Sequence, residues 1–195
     1  MYDIVSLAKL PNGIQKHDKS CEVLFVPNPS AIDRAILQNA RILHTGSSSL
    51  VREPARSSTY EAIDIAKHAG AVISYAPDDS VSLWGADIEA IRFMRSLICM
   101  ADILLAAEAE LSLLTSETDP EKTADALADQ GVRIIIIPLA DHETLLRVGS
   151  ASRTIHTNLN LESYLPKFLC GFAATKKSLR EITLDEVSDF LTVQL

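Results

Sequence analysis

Four short apolar runs recur along the middle of the chain, at a spacing of roughly thirty residues. They occupy residues 41–46, 71–76, 101–106 and 132–137. Segments with apolar residues at helical spacing separate successive runs, so the repeated unit is strand, helix, strand. This order is typical of a parallel sheet that helices cover on both faces. The pattern therefore predicts a three-layer α/β/α domain in which the four runs are parallel neighbours with right-handed crossovers.

Weaker patterns predict further elements around these runs. Short strands are predicted at 3–8, 21–26, 143–148 and 153–157, the last two as an antiparallel pair. Helices are predicted at 31–38, 52–68, from about 87 to 98, from 120 to about 130, at 162–174 and after residue 183. Ser30, Asp119 and Thr183 are the predicted N-caps, and Gly70 and Gly131 the predicted C-terminal stops. In the third helix, the stripe that should face the sheet is Ile88, Ile91, Met94 and Ile98.

Composition narrows the range of partners. The formal net charge of −8 argues against nucleic acid or an anionic membrane surface as the main partner. Neither an 18-residue apolar run nor a signal-peptide pattern is found, so no membrane span or signal peptide is predicted. Cys21, Cys99 and Cys170 have no CxxC spacing and are predicted to be free thiols in a reducing cytoplasm. No linker or low-complexity segment interrupts the chain, which predicts one domain over residues 1–195.

A continuous series of short motifs lies between residues 22 and 148. It includes the segments 23–31, 40–50, 53–58, 66–70, 83–84 and 110–115, with His-Thr-Gly-Ser-Ser-Ser-Leu at 44–50. In order and spacing these motifs resemble the ribokinase or pfkB-type carbohydrate kinase family, and within it the bacterial fructokinases. A weaker resemblance covers residues 161–191. The resemblance implies a ribokinase-like fold and a transferase reaction, the ATP- and Mg²⁺-dependent phosphorylation of a sugar hydroxyl.

The family's catalytic base and anion hole come together in a Gly-Ala-Gly-Asp turn at a helix N-terminus, where bare backbone N–H groups approach the phosphate. This chain contains seven glycines, and no two of them are separated by a single residue. In one alignment the whole turn is deleted between Thr157 and Phe168. In another, anchored on Gly171 and Phe172, Pro166 stands where the base belongs. Both alignments predict that the base and the anion-hole glycines are absent and that the chain has no catalytic residue.

Two adjacent carboxylates, Asp78 and Asp79, follow the second run. The family has Asp-Pro-Asn-x-Arg here, whereas this chain reads Ala-Pro-Asp-Asp-Ser at 76–80. The exchange removes a guanidinium and adds negative charge, which disfavours an anionic substrate. One interpretation makes the pair a magnesium site or a base. The other makes them solvated turn formers, and their position side by side in a turn favours it.

Glu110 follows the third run, in Ala-Glu-Ala-Glu at 107–110. The resemblance implies that this glutamate organises the magnesium ion and its waters, so Glu110 is the metal ligand that the resemblance predicts. The alternative is that Glu108 and Glu110 only complement the dipole at a helix start, and this interpretation is favoured.

The turn after the fourth run also departs from the family. It reads Pro-Leu-Ala-Asp-His-Glu at 138–143, where the family has Thr-Leu-Gly-x-x-Gly beside the nucleotide. The short stretch before residue 23 leaves no room for the family's lid strands or its sugar-binding Gly-Gly-x-x-x-Asn motif. We therefore expect a ribokinase-like domain that lacks the lid and part of the sheet. His44 is predicted as a core histidine and His142 as an exposed turn residue.

Three functional hypotheses remain open on these residues. The favoured one is a degenerate fructokinase-like pseudoenzyme, for which no cofactor is expected. The second is an active carbohydrate kinase with a rearranged site, in which Glu110 holds Mg²⁺ for ATP and Asp78 or Asp79 is the base. The third is a structural or regulatory protein that completes another protein's sheet.

The missing segments also bear on association. Their loss predicts a free strand edge or an uncovered apolar face, because the run at 134–137 is apolar on both sides. We therefore expect a homodimer or a sheet-completing protein partner. If the protein is a stable monomer instead, the helix at 162–174 must cover that face.

Overall fold

The computed structural model describes residues 2–7, 21–26, 28–77, 88–157 and 161–192. Within these ranges one eight-stranded sheet has the order β2-β1-β3-β4-β5-β6-β7-β8. The strands are β1 Ile4–Ser6, β2 Val23–Phe25, β3 Ile42–Thr45, β4 Val72–Tyr75, β5 Ile103–Leu105, β6 Ile134–Pro138, β7 Glu143–Val148 and β8 Ala151–His156. β1 to β6 are parallel, and β7 and β8 continue the sheet antiparallel. The prediction of four parallel neighbours is confirmed by β3 to β6.

Helices alternate with these strands along the chain. They are α1 Arg34–Gln38, α2 Ala55–His68, α3 Ile88–Ile98, α4 Leu111–Thr115, α5 Pro120–Asp129, α6 Leu161–Thr175 and α7 Leu184–Thr192. Short 3₁₀ turns occupy Pro29–Ala31, Ser47–Leu50, Glu108–Glu110 and Leu179–Glu181.

The sheet is buried on both faces, as its residue pattern requires. Successive strand residues point to opposite faces, so Ile135 and Ile137 pack in one core and Ile134 and Ile136 in the other. The first core takes its helical side chains from α2, α3 and α5, including Ile63, Met94 and Leu127. The second takes them from α6 and α7, including Phe168, Phe172, Val187 and Leu191. The three-layer α/β/α prediction is therefore confirmed.

Several predicted helix boundaries are confirmed by their capping contacts. The Asp119 side chain accepts the Lys122 N–H at 2.9 Å at the start of α5. At the start of α7, Thr183 Oγ1 accepts the Glu186 N–H, and the Glu186 carboxylate accepts the Thr183 N–H, at 3.3 and 3.1 Å. Gly131 follows α5 with φ +103°, the left-handed conformation that ends helices.

The predicted cap at Ser30 is wrong. Ser30 lies within the 3₁₀ turn Pro29–Ala31, and α1 begins only at Arg34. The carboxylate of Asp33 accepts the Ala35 N–H at 2.8 Å, so Asp33 is the N-cap. A short Asp side chain just before the first helical residue satisfies one of the helix's free N–H groups directly, and the helix starts there.

Two further expectations need correction. α2 begins at Ala55 instead of residue 52, immediately after Pro54, because proline disfavours helical backbone at the residue that precedes it. Ile88 is 76% exposed, whereas Met94 and Ile98 of the same stripe are buried. Ile88 is the first residue of α3, and contact with the core begins one turn later, at the half-buried Ile91.

No apolar face of the sheet is left open in the described part of the chain, because α6 lies over the face in question. This outcome agrees with the alternative that the helix at 162–174 covers it. Among all described residues, the exposed large hydrophobic side chains are Tyr2, Phe25 and Ile88. The outer edge of β2 has no partner strand within the described ranges. None of the described helices has the length and apolar character needed to cross a bilayer.

Candidate functional site

The candidate site is the sheet edge where the parallel strands end, since ligands of open α/β sheets bind there. β3, β4, β5 and β6 deliver Gly46, Ala76, Ala106 and Leu139 to this edge. The β6–β7 turn and the end of β8 lie at the same edge, because β7 runs antiparallel to β6 and β8 antiparallel to β7.

Glu110 lies at this edge, in the 3₁₀ turn that leads from β5 into α4. Its Oε2 accepts the Ala107 N–H at 2.8 Å. The carboxylate therefore satisfies a free backbone donor at a helix start. No group of three or more His, Cys, Asp or Glu side chains is placed to hold a metal anywhere in the described ranges.

In the alignment anchored on Gly171 and Phe172, the position of the family's base lies inside a helix. Pro166 is buried within α6, which begins five residues earlier at Leu161. Proline has no group that accepts or donates a proton, and residues this far into a helix present no free N–H groups to a phosphate. The three residues between Thr157 and α6 that fall outside the description are Asn158, Leu159 and Asn160, none of them a glycine.

Asp78 and Asp79 lie outside the described residues. β4 ends at Tyr75, followed by Ala76 and Pro77, and the description resumes at Ile88. The interpretation of Asp78 and Asp79 therefore stays a prediction.

The turn after β6 keeps a tight backbone without the family's glycines. Glu143 N donates to Ala140 O at 3.1 Å. The two central residues, Asp141 and His142, have φ of +56° and +61°. Positive φ at both central positions defines a type I′ hairpin turn. His142 is exposed, as predicted from the sequence.

A buried polar cluster at the ends of β3 and β4 was not predicted. Ser47 Oγ and Tyr75 OH are 2.8 Å apart, and His44 Nδ1 is 3.2 Å from Ser74 Oγ. His44 is 2% exposed, which confirms the prediction of a core histidine. The strand register places Ser6, His44 and Ser74 side by side on neighbouring strands. The only signal for this cluster in the sequence is that polar residues stand at corresponding positions of successive predicted strands.

Local hydrogen bonds and one ion pair explain the lowered pKa values in the described residues. Hydrogen bonds from the Ser178 hydroxyl and backbone lower the pKa of Glu181. The Lys177 ammonium and then the Thr183 N–H lower the pKa of Glu186. The Ser57 hydroxyl and backbone N–H lower the pKa of Glu53. All three side chains stabilise helix or turn starts, so their acidity marks no catalytic group.

Comparisons with known proteins agree with this architecture. No family model matches the chain. It is 32% identical over 136 residues to probable fructokinase-2 of Arabidopsis thaliana, covering 65% of this chain and 41% of that protein. Over 111 residues it is 37% identical to probable fructokinase-7 of the same plant, covering 53% of this chain and 32% of that protein. The chain thus spans less than half the length of these curated relatives.

Solved structures share the fold at lower identity. A PfkB protein from Polaromonas sp. JS666 superposes with a TM-score of 0.71 at 18% identity, covering 84% of this chain and 55% of that chain. A fructokinase from Vibrio cholerae O395, solved with fructose, ADP and calcium ion, gives a TM-score of 0.68 at 20% identity. That match covers 76% of this chain and 50% of the Vibrio chain.

Proposed function

Because the chain belongs to the ribokinase or pfkB carbohydrate kinase family, we propose that it derives from an ATP-dependent, fructokinase-like sugar kinase and has lost phosphoryl transfer. One observation carries the proposal: in the alignment anchored on Gly171 and Phe172, Pro166 stands at the position of the catalytic base and lies buried inside α6. We infer from it the loss of two groups, the base and the helix N-terminus that would cradle the transferring phosphate.

The size of the expected loss follows from these two groups. A positioned general base contributes about 10²- to 10⁴-fold to a rate, and one anion-hole donor about 10²- to 10³-fold. Loss of both corresponds to a decrease of roughly 10⁴-fold or more.

Titration calorimetry with Mg²⁺–ATP and then with fructose tests this proposal. We expect no saturable heat from either ligand, since both the phosphate cradle and the family's sugar-binding motif lack counterparts in the sequence. The variant Glu110→Gln should give the same result as the wild type. Saturable Mg²⁺–ATP binding that Glu110→Gln abolishes would instead support an active kinase with a rearranged site, with Asp78 or Asp79 as the base to be tested next.

Association through the outer edge of β2, the first strand in the sheet order, is a further part of the proposed function. β2 pairs with β1 on one side, and Phe25 at its end is 47% exposed. Exposed edge strands pair readily with strands of another chain. We propose that two copies of the chain form a homodimer through the outer edge of β2. We also propose that the protein is cytoplasmic. Light scattering should give a dimer that Phe25→Lys converts to a monomer, and a wild-type monomer at high concentration would contradict it.

A further inference from the structure

Two exposed histidines meet at the strand-end edge of the sheet. His142 is the second central residue of the β6–β7 turn, and His156 is the last residue of β8. Their ring centroids are 5.9 Å apart with an interplanar angle of 64°. The Thr157 N–H donates to His142 O at 2.8 Å, which fixes the turn against the end of β8. The pair is therefore a product of the hairpin register and not of proximity along the chain.

The spacing of the two rings suits a shared metal ion. Imidazole nitrogen binds zinc at about 2.0–2.1 Å, and tetrahedral geometry then places two ligating ring centroids about 5 Å apart. The observed 5.9 Å is close to this value, and both rings are exposed. A small side-chain rotation of exposed rings closes the difference, because such rotations are fast and cost little.

The charge around the pair favours a cation. Asp141 precedes His142 in the turn, and Glu143 is the cross-strand partner of His156. The whole chain carries a formal net charge of −8. Carboxylates beside the imidazoles raise the local concentration of cations, and imidazole selects zinc-like metals over magnesium.

We propose that His142 and His156 bind one borderline divalent metal ion of the Zn²⁺ class. The described residues bring no group of three such ligands together, so two imidazoles are the protein ligands and water completes the coordination. The site uses no nucleotide or sugar and is independent of the proposed loss of kinase activity. A bound ion links the β6–β7 turn to the end of β8 and stabilises the folded state, since the unfolded chain does not hold the two rings together.

Calorimetric titration with Zn²⁺ in a non-chelating buffer tests the site in the full chain. We expect one equivalent to bind the wild type, and His142→Gly and His156→Gln each to weaken binding by roughly tenfold or more. Glycine suits the φ of +61° at position 142, so His142→Gly removes the imidazole without disturbing the turn. His68→Gln, which removes an exposed imidazole from α2, is the matched control and should bind like the wild type.

A titration with Mg²⁺ completes the experiment. It should produce no saturable heat, because magnesium prefers oxygen ligands to imidazole nitrogen. Unchanged Zn²⁺ affinity in either His142→Gly or His156→Gln would overturn the proposal, as would the absence of saturable binding in the wild type.

Discussion

The Glu110 carboxylate accepts the Ala107 N–H in the turn that leads into α4. Glu110→Ala leaves this half-buried donor without its partner and should lower the free energy of unfolding by about 1 kcal/mol, the usual value of a helix-start cap. Urea denaturation measures the change. Glu108→Ala, at an exposed position of the same turn, is the control and should stay within about 0.5 kcal/mol of the wild type. Equal losses in the two variants would show that the carboxylate is not a cap.

Glu186 should contribute to the pH dependence of stability. Its pKa is lowered in the folded protein, first by the Lys177 ammonium and then by the Thr183 N–H. A depressed folded pKa stabilises the protein above the unfolded value of about 4.3, and this contribution is lost as the pH falls through the folded value. The wild type and Glu186→Gln should therefore differ in urea midpoint near neutral pH and converge in acid. A constant difference down to about pH 3 would contradict this account.

At the scale of elements, α6 and α7 contact each other through a glycine. A Cβ added at Gly171 would lie 2.8 Å from Cγ of Phe190. Gly171→Ala should therefore lower stability by about 1 kcal/mol, because overpacking outweighs the better helix propensity of alanine. In a Phe190→Ala background the clash is absent, and the same substitution should be stabilising by up to about 1 kcal/mol. A thermal unfolding cycle over the four proteins shows whether the sign reverses, and a stabilising effect in both backgrounds would count against close packing.

The elements also show what sequence reasoning can and cannot reach. β3 to β6 were predictable because a parallel strand buried on both faces reads as an apolar run at a fixed period. The start of α1 was not, because Ser30 and Asp33 are both good caps and only the backbone decides between them. The burial of Ile88 was mispredicted because periodicity identifies a helix face but not where that face begins to touch the sheet.

Contacts between distant segments were beyond prediction for a related reason. The approach of His142 to His156 depends on the register of β7 with β8 and on the Thr157–His142 backbone hydrogen bond. Glu110 was correctly placed at the strand-end edge, but its hydrogen bond to the Ala107 N–H was not predicted, because the sequence suggested only a metal ligand or a residue that complements the helix dipole. Asp78 and Asp79, outside the described residues, stay predictions.

At the scale of the whole molecule, the segment between α6 and α7 is held against the end of the sheet where the parallel strands begin. Arg41, just before β3, donates to Lys177 O at 2.6 Å. Arg133, just before β6, donates to Leu179 O and Arg180 O, each at 3.0 Å. These charge-assisted contacts and the packed faces of α6 and α7 hold the second helical layer against the sheet.

The most direct measurement is ADP formation by the purified chain with Mg²⁺–ATP and fructose, after a cooperative thermal transition has shown that the protein is folded. A fructokinase of known activity in the same assay sets the scale. We expect no fructose-dependent ADP above the enzyme-free background, because we propose that the chain has lost both the catalytic base and the phosphate cradle. Magnesium- and fructose-dependent turnover that disappears in Glu110→Gln would contradict it and establish a kinase with a rearranged site.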